Sequence, residues 1–361
     1  MSLTVLSVGY PLAPVSADAV GGSEQILHDL DAALIGAGHR SLVISCEGSR
    51  VRGTLIPVPR VEGPLHDDAR TAAQARHAAA IETALDRWPI DLVHMHGIDF
   101  HRYLPPAGVP VLATLHLPPE WYPESCFHLD RPGTWLNCVS ASQHARCPPG
   151  TTPLLAPIGN GVPVEALRAR HAKRRFALTL ARVCPEKGLH IAIDAARRAG
   201  IALIAAGEVF RYPAHERYFA EEVVPRLDRT RRFVGPVGFA RKRRLLTAAR
   251  CLLVPSLAPE TSSLVAMEAL ACGTPVIAFP AGALPEIVEH GRTGFLVGDE
   301  REMVDAIDAA GSISPEACRT AAAERFSLTR MVSGYFDAYR RLVTTGPKAG
   351  FGTRAFAGGS A

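Results

Sequence analysis

The chain has 361 residues, 47% of them apolar and 20% charged, the balance of a folded globular protein, which excludes disorder over most of its length. At about 100–200 residues per domain, that length suggests two domains and hence a cleft. Its 39 basic and 35 acidic side chains leave a formal charge of only +4, too weak a bulk field to mark a nucleic-acid-binding protein, so any anion must be held locally.

The apolar run 3–8 is cut short by Pro11 and Pro14 and has no basic residues before it, so it reads as a first strand rather than a signal peptide. Short apolar runs then alternate with longer amphipathic ones, the pattern of parallel strands joined by helical crossovers. Strands are predicted at 3–8, 41–46, 91–95, 111–115 and 135–139, with helices over 23–37 and 69–87. Pro157, Gly159, Gly161 and Pro163 break the rhythm; the domain boundary is expected within 156–175 and placed at 165/166.

The second half repeats the pattern, with strands at 176–180, 201–206, 232–234, 252–254 and 275–278. Helices are predicted over 188–199, 214–227, 239–250, 262–272, 283–290, 301–310 and 314–325. A last helix over 328–343 carries Met331, Tyr335, Phe336, Tyr339 and Leu342 on one broad apolar face. Residues 346–361, rich in glycine and alanine, read as a flexible tail. No apolar run approaches the ~18 residues that span a bilayer. Eight cysteines form no C-x-x-C pair, which fits reduced thiols in a cytoplasm.

Between Cys251 and Pro285 the only charged side chains are Glu260 and Glu268. The run Leu264–Val265–Ala266–Met267–Glu268–Ala269–Leu270–Ala271 is apolar on every side, so it is expected to be buried, and a carboxylate within it needs hydrogen bonds. A diol such as ribose satisfies two acceptor oxygens; a buried basic side chain or backbone donors satisfy them equally well. Glu260 precedes the helix beside Thr261, Ser262 and Ser263, whose hydroxyls can cap it, while the free amides of its first turn suit an anion.

Arg182 and Lys187 lie on a strand-to-helix turn, where doubly wound sheets bind ligands; they suit a diphosphate, or are simply solvated. Gly21–Gly22 opens onto a helix in the first half, although G-x-G-x-x-G is absent. His94, His96, His101 and His116 gather at strand ends without a convincing set of further metal ligands. Asp29–Leu30–Asp31 points its carboxylates ~200° apart on a helix and reads as surface. The run Arg241–Lys242–Arg243–Arg244 reads as a solvated face, and Trp121, Tyr122 and Phe127 read as a ligand platform or equally as packing.

In order, Gly21–Gly22–Ser23–Glu24, Asp91–Leu92–Val93–His94, Asn160–Gly161–Val162, Arg182…Glu186–Lys187–Gly188 and Glu260-x7-Glu268 resemble glycosyltransferase family 4. Glu268–Ala269–Leu270–Ala271–Cys272–Gly273–Thr274–Pro275, Pro285–Glu286 and Gly291–Arg292–Thr293–Gly294 are similar to that family's signature region. The resemblance implies an α/β GT-B fold. An N-terminal Rossmann-like domain of residues 1–165 would face a donor domain of residues 166–326, and a helix over 327–345 would cross back.

It further implies a retaining transferase that moves a sugar from a UDP- or GDP-linked donor to an acceptor hydroxyl, without a metal or other cofactor. A nucleotide-sugar epimerase or hydrolase, or a degenerate nucleotide-sugar-binding protein, are the alternatives. The acceptor would be a small molecule, a glycan or a lipid-linked species, with peripheral membrane contact and no nucleic acid.

Carried over by position, Arg182 and Lys187 would hold the diphosphate, Glu268 the ribose and Glu260 the transferred sugar. Gly22 would let backbone approach the phosphate, and His116 would stand near the donor sugar. Glu260, His116, Arg182 and Lys187 are thereby expected to be catalytic, and Val237, Ser262, Ser263 and Leu264 to join the donor site. The chain departs from the family where Thr261–Ser262–Ser263 replaces the usual aromatic and glycine, which restricts the backbone and adds side chains at the ligand.

Overall fold

The computed structural model describes residues 2–61, 63, 66–169 and 171–345. The tail expected over 346–361 lies outside the described residues.

The first sheet is built from β1 (Thr4–Val8), β2 (Arg40–Cys46), β3 (Thr54–Val58), β4 (Leu92–Met95), β5 (Val111–Leu115) and β6 (Thr134–Cys138), in the order β3-β2-β1-β4-β5-β6. The second comprises β7 (Phe176–Leu180), β8 (Ala202–Ala206), β9 (Arg231–Phe233), β10 (Cys251–Val254), β11 (Val276–Ala278) and β12 (Gly294–Leu296), in the order β12-β11-β10-β7-β8-β9. Every pairing between neighbouring strands is parallel. Both sheets therefore have the doubly wound order in which the chain reverses direction beside its first strand, and ligands bind beyond the strand ends at that reversal. The reversals fall between β1 and β4 and between β7 and β10.

In the first half, α1 (Gly22–Gly36), α2 (Asp67–Arg87) and α3 (Ala141–Arg146) flank the sheet. The second has α4 (Val164–Leu167), α5 (Leu189–Arg198), α6 (Pro213–Tyr218), α7 (Phe239–Ala248), α8 (Leu264–Ala271), α9 (Leu284–Ile287), α10 (Glu300–Ala309) and α11 (Pro315–Arg325). Helix α12 (Leu328–Thr345) then returns to the first sheet, where Met331, Tyr335, Tyr339 and Leu342 pack on Leu3, Val5, Ile26, Leu30, Leu92 and Leu112. The predicted long helix 214–227 holds as α only through Tyr218; it continues as a π turn to Val223 and a 3-10 turn to Arg226, because Pro225 has no amide for the ladder.

Two strands went unpredicted, β3 and β12, each at a sheet edge. One contains Pro57 and is only partly buried, and the other is three residues long, so neither carries the apolar run that marks a central strand. Asp31 is no surface residue: it is fully buried and accepts hydrogen bonds from Ser41 Oγ at 2.7 Å and from the amides of Arg52 and Gly53 at 2.5 and 3.1 Å. Its carboxylate thus ties α1 to the turn between β2 and β3.

The chain passes between the halves twice, and the two passages lie side by side. The Val162 amide donates to Phe326 O at 2.8 Å, and the Leu328 amide donates to Val162 O at 2.9 Å. Beside them Gly161 is obligatory, since a Cβ there would lie 2.7 Å from Ser327 O.

Candidate active site

The turn after β7 carries Arg182 and then the 3-10 turn Pro185–Lys187, closed by Gly188 at φ 62°. A side chain at Gly188 would strike Pro255 O, so glycine lets this turn press against the one after β10. The Leu257 amide donates to Glu186 O at 2.8 Å and joins the two turns. Across that join Lys187 Nζ donates to Glu260 Oε1 at 2.6 Å, and Ser256 Oγ donates to the same oxygen. Glu260 is held from behind as well: the Ala283 amide donates to its carbonyl at 2.8 Å, beside Gly282 at φ 62°.

Glu268 is 4% exposed on α8, and Lys242 Nζ from α7 donates to its Oε1. Burial pushes the Glu268 carboxyl above its ordinary value, and the Lys242 ammonium pulls against that shift. The basic run 241–244 is therefore not uniformly solvated. Arg241 and Arg244 are exposed, but Lys242 turns inward to Glu268 and Arg243 donates to Ala166 O at 3.0 Å. The sequence carried the signal for Lys242, because a carboxylate on an apolar helix requires a partner.

The first turn of α8 is open. Ser263 is its N-cap without a side-chain bond, Ser262 Oγ is buried without a partner, and the Thr261 hydroxyl donates instead to His116 O at 2.8 Å in the other half of the molecule. The capping expected of these three hydroxyls does not form. Facing that turn is the start of α1, so close that a Cβ at Gly22 would lie 3.2 Å from Leu264 Cδ1. Two helix N-termini thus converge, each with unpaired amides.

Beside Gly22, Glu24 is 6% exposed and folds back over Gly21, where any side chain would collide with its carboxylate. Burial raises its carboxyl, opposed by its own amide, by Ser23 Oγ at 2.9 Å and by the Arg182 guanidinium across the cleft. Arg182 itself is half-buried, and among the described residues its guanidinium has no hydrogen-bond or ion-pair partner. Asp29, further along α1, is pushed up to about 6 by burial, with Glu268 adding to the shift and His28 and Lys242 opposing it.

On the N-terminal side, His116 follows β5, and its Nε2 lies 3.0 Å from His96 Nδ1. Burial lowers the His116 imidazole to about 4, so it is neutral near pH 7. The aromatic platform is corrected: Tyr122 and Phe127 are core residues, the Tyr122 hydroxyl accepting from the His116 amide at 3.0 Å, and only Trp121 is exposed. Val237 is half-buried in the loop between β9 and α7, beyond the strand ends that carry Arg182.

Among the described residues, four side-chain hydrogen bonds cross the cleft. Besides Thr261 to His116, Asp18 accepts from the first amide of α7, at Phe239, at 2.8 Å, and Glu286 accepts from the first two amides of α3 at 3.1 and 2.5 Å. Asp18 was not singled out by sequence and Glu286 stood only within the Pro285–Glu286 match; each caps a helix that belongs to the other domain. Among the described residues, one group could offer metal ligands, Cys184, Glu186 and His215, whose ligand atoms lie within 4.8 Å of one another. Burial, and after it the nearby Arg182 charge, hold the His215 imidazole below its ordinary value, and that charge opposes a cation there.

Two facing doubly wound domains, with opposed helix N-termini and a returning last helix, define a GT-B protein. The chain belongs to the family 4 glycosyltransferases: the model described as "Glycosyltransferase Family 4" matches residues 20–143, and the model "Glycosyl transferases group 1" matches residues 174–310. It is 36% identical over 132 residues to a D-inositol 3-phosphate glycosyltransferase of Rhodococcus opacus, covering 34% of this chain and 29% of that one. A protein of the same description from Streptomyces scabiei is 50% identical over 66 residues, 18% of this chain and 15% of that one. The matches thus span less than a third of these curated relatives.

Among solved structures, AviGT4, a glycosyltransferase involved in avilamycin A biosynthesis, aligns with a TM-score of 0.70 and 26% identity over 95% of this chain and 98% of its own. Anabaena Alr3699/HepE in complex with UDP-glucose aligns with a TM-score of 0.71 and 20% identity over 94% of this chain and all of its own, a likeness of fold.

Proposed function

We propose that this protein is a retaining glycosyltransferase that moves a sugar from a UDP- or GDP-linked donor to an acceptor hydroxyl. The observation that carries the reading is the convergence, at one strand reversal, of the Lys187–Glu260 and Lys242–Glu268 pairs with the open N-terminus of α8. An ammonium has three donors, so Lys187 keeps two for phosphate oxygens after bonding Glu260, and Arg182 adds a planar fork from the same turn. Charge that grows on the diphosphate as the glycosidic bond breaks is met by these cations and by the α8 amides. Glu268, with one oxygen on Lys242, retains acceptor capacity for the ribose diol.

Glu260 is oriented by Lys187 and Ser256 to accept from hydroxyls of the transferred sugar, and the orphaned Ser262 Oγ gains a partner there. With two cations and two helix ends at the phosphates, the site does by fixed charges what a metal would do elsewhere, so we propose transfer without a resident metal. We also place the protein in a reducing cytoplasm, in keeping with eight free cysteines, seven of them buried. Among the described residues no helix is long and apolar enough to cross a membrane.

Calorimetric titration of UDP, GDP, ADP and TDP, with and without Mg²⁺, tests the donor site. One nucleotide should bind regardless of metal, and Glu268→Ala should weaken it by at least tenfold, about 1.4 kcal/mol. Equal binding by the variant would remove Glu268 from the ribose, and binding without transfer across an acceptor panel would favour a nucleotide-sugar-binding protein.

A further inference from the structure

Two buried histidines stand behind His116 that the donor reading leaves unused. His94 lies in β4 and His96 just beyond it, both essentially without solvent contact, their rings 3.9 Å apart; the His96 ring is stacked against His116 at 5.2 Å. A neutral imidazole has one N–H and one lone pair, so each hydrogen bond fixes which nitrogen carries the proton.

For His94 the direction can be followed. The Asn137 carbonyl accepts from the Ile158 amide at 3.1 Å, which leaves the Asn137 Nδ2 to donate to the Tyr335 hydroxyl at 3.3 Å. Tyr335 then donates to Thr114 Oγ1 at 3.3 Å, and Thr114 to His94 Nε2 at 2.7 Å. His94 must therefore carry its proton on Nδ1, which donates to the Tyr339 hydroxyl at 2.8 Å. The His94 ring, tilted against His96, is thus locked from the side of α12.

Among the described residues the His96 ring has one polar contact, from Nδ1 to His116 Nε2, and its Nε2 is buried without a partner. If the His96 proton sat on Nε2, an N–H would be buried with nothing to bond, the rarer and more costly kind of orphan. With the proton on Nδ1, the unpaired atom is only a lone pair. Burial keeps both rings neutral, and the neighbouring imidazoles push His96 further in that direction.

We propose that His96 is a positioning residue that donates from Nδ1 to His116 Nε2 and so fixes His116 with its proton on Nδ1, turning the open side of the ring into a hydrogen-bond donor. Among the described residues, His116 Nδ1 has no protein partner, and it lies where Thr261 of the opposite domain meets the His116 carbonyl. Resting on the glycosyltransferase reading, this makes His116 a donor to a hydroxyl or ring oxygen of the bound sugar and unable to take a proton from it through that nitrogen. The assignment selects for a sugar that presents an acceptor oxygen at that position.

The test is a long-range proton–nitrogen correlation spectrum of the full chain labelled with ¹⁵N-histidine at pH 7, the His116 signals being assigned with His116→Gln. The expected result is a His116 ring protonated on Nδ1 alone. His96→Leu should shift it toward the Nε2–H form, and His96→Asn, whose side-chain amide reaches the place of Nδ1, should restore it. A wild-type His116 protonated on Nε2, or an unchanged ring in His96→Leu, overturns the proposal. If His96→Leu does not fold, the wild-type spectrum alone decides between the two tautomers. The spectrum needs no substrate, so its failure and a failure of the transferase reading are separate outcomes.

Discussion

Asp29 shows how burial and charge act on a single side chain at the cleft. Its carboxyl stands at about 6 against an ordinary 3.8, first because it is desolvated and then because Glu268 faces it. Native protein therefore binds a proton between pH 3.8 and 6 that unfolded protein has released, so this residue's contribution to stability falls as pH rises through that window. Above pH 6 the penalty is fully present. Asp29→Asn should accordingly stabilise the protein by about 1–3 kcal/mol at pH 8 and by nothing below about pH 4, as read from urea midpoints. A gain that did not vary with pH would point to packing instead. Asp29 was discounted in the sequence on the geometry of a helix alone. That geometry is right, and the two carboxylates do diverge, but divergence says nothing of burial: Asp31 is fully buried and Asp29 is half-buried.

At the scale of elements, the unusual feature is that helices are capped from the opposite domain. The first amides of α3 and α7 have their acceptors in Glu286 and Asp18, so the cleft is closed partly by groups that every helix start must satisfy. Glu286→Ala should cost about 1 kcal/mol of stability, the usual worth of a cap, and should also loosen the domains. Small-angle scattering would show the latter as a larger radius of gyration than wild type, and an unchanged radius would confine Glu286 to α3.

Central strands and long helices were legible in the sequence because they carry apolar runs at period 2 or 3.6. The edges β3 and β12 were not, nor the four-residue helices α4 and α9 as such, since tertiary contacts hold them in place of any local pattern. Of the site, both glutamates and the phosphate turn were legible, being charges in apolar surroundings or at a strand end. Ser256 and Asp18 were not, because what marks them is the company they keep across the fold; Lys242, Glu24 and Glu286 stood in runs or motifs whose partners the sequence does not name.

For the whole molecule, the returning helix matters most. Tyr335 and Tyr339 are fully buried and supply the partners of Thr114 and His94 in the first sheet. A chain ending at Ser327 should keep hydrogen-exchange protection in β7, β8 and β10 and lose it in β1, β4 and β5. Equal loss in both halves would mean that the domains do not fold as separate units. The same feature bears on synthesis. His94 leaves the ribosome 245 residues before Tyr339, an interval of about 10–50 s at ordinary elongation rates, during which the C-terminal domain can finish folding while the N-terminal one waits with a bare apolar face. The half of the enzyme made first is thus completed last, and a nascent chain exposes its histidine cluster to its surroundings until the final helix arrives.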